Sequence, residues 1–236
     1  MSPLSFALKR IEMTMSTKGN HKSQQTPPQF VFEDWGHLPY ADAYARQLAL
    51  LDGRIRGERG DTIAFVEHPH VFTYGRSSLE RDWKPEITVL GEPVSQVAIE
   101  RGGDVTYHGP GQLVMYPIVD VRALTGDLHR FLRWIQDTII TTIAHWDITG
   151  RHHPEHTGVW VGDRKIASIG VAVRKWISFH GVALNVSTDL RFFGAIKPCG
   201  LPSEVMTSMA EVTATPIRLD DVKERLQDVL SEKKNR

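Results

Sequence analysis

A chain of 236 residues, 41% of them hydrophobic, can bury one well-packed domain or at most two small ones. Its 28 basic and 28 acidic residues cancel, so the cationic excess of a nonspecific nucleic-acid binder is missing. A lone cysteine, Cys199, excludes an intramolecular disulfide and a cysteine-built zinc cluster. No run approaches the roughly 20 apolar residues that cross a bilayer, which leaves a cytoplasmic protein as the expectation.

Residues 1–28 begin with a weakly amphipathic stretch that lacks the apolar core of a secretory signal. They continue through Ser, Thr, Lys, Gln and Pro, which cannot bury a core. A disordered extension over 1–28 and a single domain over 29–236 are therefore expected. FVFEDW, from Phe30, reads as a first strand. Tyr40–Arg56 reads as a helix, with Ala41, Tyr44, Ala45, Leu48 and Leu51 at helical spacing. Thr62–Glu67 reads as a buried strand that Pro69 ends, and Pro85–Ile99 as a hairpin turning at Gly91. A glycine-rich loop over Arg101–Gly111 precedes the strand LVMYPIVDV. Asp127 then caps a helix from Leu128 to about Trp146, with an apolar stripe of Leu128, Leu132, Ile135, Ile139 and Ile143. Further strands are read at Gly158–Gly162, Lys165–Lys175 and Ser178–Val186, and Asp220 opens a final amphipathic helix. Strands and helices mix without regular alternation, which points to an α+β fold.

Three constellations could carry chemistry. In Arg101–Gln112 (RGGDVTYHGPGQ), four glycines let backbone N–H groups approach a ligand, while Arg101, Thr106, Tyr107 and His108 add polar reach. The same glycines would also serve a plain hairpin loop. The spacing is neither a P-loop nor a dinucleotide fingerprint. Lys165 leads the apolar run KIASIG: either its ammonium snorkels to water, or its amine is desolvated and able to accept a proton. Cys199 sits between Pro198 and Gly200 with Lys197 nearby, a setting open to a structural thiol or to a rigidly placed nucleophile. His152, His153 and His156 lie in a polar loop that argues against a metal site. His68, His70 and His180 fit either a pocket or a strand cap.

Taken in order, EHPHVFTYGR, RGGDVTYHGPGQLVMYPI, GVWVGDRKIASIG, SFHGVALNV and IKPCGL resemble the lipoyl(octanoyl) transferase family over roughly Phe30–Leu219. The resemblance implies a fold like the catalytic domains of biotin and lipoate protein ligases: a mixed, mainly antiparallel sheet with flanking helices around an acyl pocket. It implies Cys199 as the acyl-carrying nucleophile and Lys165 as its partner. It implies substrate binding by Arg101, Gly102, Gly103, Asp104, Val105, Thr106, Tyr107 and His108, by Ser168, Ile169 and Gly170, and by Gly181, Val182 and Ala183. The implied donor is octanoyl-acyl carrier protein. The implied acceptors are lysines of the lipoyl domains of 2-oxoacid dehydrogenases and of the glycine-cleavage H protein. No cofactor or metal is implied beyond the carrier's own phosphopantetheine. An acidic carrier calls for a local basic face, for which Arg76, Arg174 and Lys175 are candidates. Two rival readings stand beside this one. An ATP-dependent lipoate or biotin ligase shares the fold but needs no cysteine, and a non-catalytic acyl-carrier-binding protein needs neither nucleophile nor base.

Overall fold

The computed structural model describes residues 30–78, 86–196 and 202–233. Residues 1–28 and Cys199, with its neighbours Lys197, Pro198 and Gly200, lie outside the described residues.

Two sheets form the frame. The larger has six strands in the order β1 (Val31–His37), β2 (Thr62–Glu67), β7 (Gln112–Ile118), β10 (Ile177–Asn185), β9 (Arg164–Arg174) and β8 (Val159–Val161). Only β1 and β2 run parallel; the remaining pairs are antiparallel. The smaller has four strands in the order β4 (Glu86–Val89), β5 (Glu92–Ala98), β3 (Val71–Tyr74) and β6 (Val105–His108). The mixed, mainly antiparallel α+β architecture is as expected, but the strands divide between two sheets. Neither β3 nor β6 is legible in the sequence. Four-residue strands beside Pro69 and inside the glycine-rich loop are too short for alternation to register.

The period of two along each central strand sends alternate residues to opposite faces. Ile63 and Phe65, Leu113 and Met115, and Val182 and Leu184 join one core. It is covered by α2 (Val121–Thr125), α3 (Leu128–Ile143), α4 (Met209–Thr213) and α5 (Leu219–Lys233). Ala64 and Val66, Val114 and Tyr116, and Phe179 and Ala183 join a second core under α1 (Tyr40–Ile55). Burial on both faces explains why β2, β7 and β10 read as unbroken apolar runs. The smaller sheet packs Phe72, Val94, Val105 and Tyr107 on Phe192, Phe193 and Met206.

Asp127 caps α3 as its sequence indicates, accepting from the Arg130 amide at 2.9 Å. The stripe read along α3 divides, however. Ile135, Ile139 and Ile143 are fully buried, joined by Phe131, which the stripe left out, whereas Leu128 is 41% exposed and Leu132 only partly covered. Those two leucines meet a cavity instead of the core.

Candidate active site

The cavity, about 380 Å³, opens between β9–β10, the start of α3 and the glycine-rich loop of the smaller sheet. That volume falls in the range of small-molecule sites. Its apolar walls are Leu128 and Leu132 from α3, Ile169 and Val171 from β9, and Val182 and Ala183 from β10. Hydrogen bonds staple the loop in place. Gly102 donates to Val171 O at 3.1 Å, and the Gly75, Arg76 and Ser77 amides donate to Asp104 O, Arg101 O and Gly103 O. The buried Arg101 guanidinium reaches back to Thr73, donating to its carbonyl at 2.7 Å and its hydroxyl at 3.0 Å. Gly170 makes room for that side chain, since a Cβ there would lie 2.8 Å from Arg101 Cδ.

Most of the residues anticipated for substrate binding converge here: Arg101, Gly102, Gly103, Thr106, His108, Ser168, Ile169, Gly170, Gly181, Val182 and Ala183 all line the cavity, as does Lys165. Asp104, Val105 and Tyr107 do not. The pleat of β6 turns Thr106 and His108 toward the cavity and Val105 and Tyr107 away from it. Val105 and Tyr107 belong to the core of the smaller sheet, where Tyr107 stacks on Phe192 with ring centroids 5.1 Å apart.

Sequence reading missed Tyr40, at the first turn of α1, and Tyr116, on β7. Both join His108 and His180 at the polar end of the cavity. They come from elements far apart in the chain, and nothing in the local pattern marks them. His68 backs this group. It hydrogen-bonds Leu38 O at 2.7 Å and the Tyr116 hydroxyl at 2.8 Å. Burial pushes the His68 pKa down to about 4, and burial with the adjacent His68 holds His108 well below the usual imidazole range. Burial also pushes His180 down to about 4, although Glu100 pulls the other way. Burial raises the Tyr40 and Tyr116 hydroxyls. This end of the cavity is thus polar but uncharged at neutral pH, apart from Arg101. His180 is held at φ 57° in mid-strand, where its amide leaves the ladder and donates to Gln47 Oε1 at 2.8 Å.

Lys165 is 4% exposed at the start of β9. Its side chain lies against Gly158, where a Cβ would stand 2.5 Å from Lys165 Cε; the φ of 139° there also favours glycine. Gln136, from the buried side of α3, holds that turn by donating to Gly158 O at 2.8 Å. The Lys165 carbonyl accepts from the Thr207 amide at 3.0 Å, and Met206 bridges Lys165. A buried relay joins this point to the far end: His108 to Gln112 at 2.8 Å, Gln112 to Asn185 at 2.9 Å, and Asn185 to Thr207 O at 3.0 Å. Met206 and Thr207, which meet Lys165, follow Cys199 in the chain by seven and eight residues. Of the other histidines singled out, His153 and His156 pack on Trp160, with ring centroids 4.5 and 5.9 Å away, and His70 stacks on Phe192 at 4.2 Å.

The two-sheet α+β frame with an apolar slot running to a buried lysine is that of a single α+β catalytic-type domain shared with solved protein ligases. Solved structures that share the fold include two lipoate protein ligases. One is a lipoate-protein ligase A bound with ATP, at TM-score 0.64 and 16% identity, covering 87% of this chain and 84% of that one. The other is a bipartite lipoate protein ligase from Thermoplasma acidophilum, described with its E2 lipoyl domain, at TM-score 0.59 and 17% identity, covering 86% and 84%. Residues 39–231 match the lipoyl protein ligase A/B catalytic domain, and the chain belongs to that family. Its relatives include an octanoyltransferase of Solibacter usitatus, 44% identical over 191 residues, which span 80% of this chain and 86% of the relative. Another, of Syntrophotalea carbinolica, is 40% identical over 194 residues, or 82% and 89%. This kinship makes the chain an enzyme of the acyltransferase class.

Proposed function

We propose that this enzyme moves an octanoyl group from octanoyl-acyl carrier protein to a lysine of a lipoyl domain, in 2-oxoacid dehydrogenases or the glycine-cleavage H protein, through a thioester on Cys199. The observation that carries this reading is the apolar slot ending at buried Lys165, whose backbone is bonded to Met206–Thr207, seven and eight residues after Cys199 in the chain. The octanoyltransferase names of relatives 40–44% identical over four-fifths of the chain support the acyl length.

The chemistry balances without a cofactor. The Lys165 amine takes the proton from Cys199, and the thiolate attacks the donor carbonyl. The bond from that carbonyl to the carrier's sulfur breaks, and the departing thiolate takes the proton from Lys165 Nζ. The acceptor amine then attacks the Cys199 thioester, an amide bond forms, and the Cys199 sulfur leaves as the amine's surplus proton passes to Lys165. A thiolate suits both steps because it is a good nucleophile and a good leaving group. A thioester donor is already activated, so neither ATP nor a metal enters this scheme. The place of action is cytoplasmic in this reading; no helix among the described residues is long and apolar enough to cross a membrane.

Intact-mass measurement after incubation with octanoyl-acyl carrier protein, without acceptor or ATP, tests the proposal. An octanoyl adduct that hydroxylamine removes, and that Cys199→Ser lacks, is the expected result. Absence of an adduct, together with lipoyl-domain modification that appears only with ATP and free octanoate, would make the enzyme a ligase. Carrier binding with no transfer under either condition would leave a non-catalytic binder.

A further inference from the structure

Five large apolar side chains stand exposed among the described residues, and three of them belong to the surface around the cavity mouth: Leu128 and Trp176, each 41% exposed, and Val173, 37% exposed. Leu128 itself lines the cavity. Val173 lies two residues beyond the cavity-lining Val171 on β9, and the pleat puts both on the same face. Trp176 occupies the two-residue turn between β9 and β10. The Val121 amide, at the start of α2, donates to Trp176 O at 2.9 Å. α2 packs on α3 and leads directly into Leu128. One surface therefore runs from the mouth across α2 to the turn. The turn holds Lys175 at φ 49° and Trp176 at φ 70°, a conformation that Asn-Gly adopts readily and a bulky residue does not.

This surface also carries two arginines, beside the cavity-lining Glu155 and the Arg130-paired Asp127. The Arg122 guanidinium lies 4.1 Å from the Trp176 ring centroid. Arg133 stands exposed one position round α3 from the cavity-lining Leu132. Among the described residues no carboxylate pairs with Arg122 or Arg133. Arg174, a candidate for the basic face on sequence, is directed elsewhere: its guanidinium is 3.6 Å from Glu100 and lies over Phe179, on the opposite face of the sheet.

Building on the transferase reading, we propose that Arg122, Arg133, Val173 and Trp176 form the docking surface for the protein part of the donor, an acidic acyl carrier whose phosphopantetheine arm enters beside Leu128. The charge selects the donor over the acceptor. The donor brings acidic residues and a phosphodiester to the mouth, whereas the acceptor brings a lysine amine that unpaired arginines would repel. Arginine suits this task because its planar guanidinium is weakly hydrated and pairs in forked geometry with phosphate and carboxylate.

The test compares octanoyl-acyl carrier protein with octanoyl-pantetheine, the same thioester without the protein, in an Arg122→Glu/Arg133→Glu variant and in Trp176→Ala. The expected result is a fall of at least about tenfold in kcat/KM for the carrier-borne donor. Turnover of octanoyl-pantetheine, the KM for the acceptor domain and the Tm should stay as in the unaltered enzyme. Equal losses with both donors, a loss confined to the acceptor KM, or no loss at all would each overturn the assignment. Titration calorimetry with the carrier alone reads the surface independently of turnover. Weakened binding in the charge-reversed variant upholds the surface even if the transferase reading fails, and unchanged binding rejects it.

Discussion

At His68 the imidazole is wholly enclosed, with Leu38 O accepting from Nδ1 and the Tyr116 hydroxyl donating to Nε2. That pairing satisfies a neutral ring, and burial lowers its pKa from 6.5 to about 4. Below pH 6.5 the unfolded chain binds a proton at this residue that the folded enzyme refuses until about pH 4. The stabilisation is therefore whole above pH 6.5 and is lost as pH falls toward 4, a change on the order of 3 kcal/mol. Urea midpoints measured across this range should fall steeply in the unaltered enzyme and more gently in His68→Gln. An identical slope in the variant would contradict the assignment. His108 and His180 are depressed by the same burial and share in the acid sensitivity. In the sequence, the histidines flanking Pro69 look equally suited to a pocket or a strand cap. Their separation by the fold, His68 behind the cavity and His70 on the Phe192 stack, depends on which face of the chain each ring leaves.

Helix α3 joins stability to chemistry through Gln136. Its carboxamide, 7% exposed, spends a donor on Gly158 O, and Gly158 is the floor beneath the Lys165 side chain. Gln136→Met keeps the length of the side chain and removes the donor. An unpaired buried carbonyl costs roughly 1–3 kcal/mol, so the Tm should drop modestly. If the turn places Lys165, octanoylation of Cys199 should also slow by about tenfold and its pH profile should move, since proton transfer is sensitive to placement. Rapid-quench acylation across pH checks both, and a lowered Tm with unchanged acylation would reduce Gln136 to a packing role. The helix itself is plain in the sequence from Asp127 and its 3.6-residue stripe. The fate of Leu128 and Leu132 is not, because an apolar residue at helical spacing looks the same whether it faces a core or a cavity.

For the whole molecule, residues 39–231 carry the family match, and the described cores draw on Phe30 and residues beyond it. Removing residues 1–28 should therefore leave the Tm and the rate of octanoyl transfer unchanged. Thermal melts and transfer assays on the shortened chain check this, and a lost melting transition would show that the segment is structural. The two sheets meet at the cavity, with the glycine-rich loop bonded to β9 through Gly102 and Val171. The cavity and the buried Lys165 are thereby bordered from both sheets at once.

Local chemistry was enough to determine the α+β class and nearly all the long elements, while the family resemblance pointed to the Arg101 loop, the Lys165 strand and the Gly181 strand, which the fold brings to one cavity. Alternation, helix caps and glycine clusters act between near neighbours and can be read as such. Only the tertiary structure decided that Thr106 and His108 face the cavity while Tyr107 does not, and that Tyr40 and Tyr116 close its polar end. It also decided that Gly158 and Gln136 seat Lys165. Those outcomes depend on strand register and on contacts between residues far apart in the chain. Such contacts form because apolar faces must be buried together, and no local pattern records which polar groups are enclosed with them.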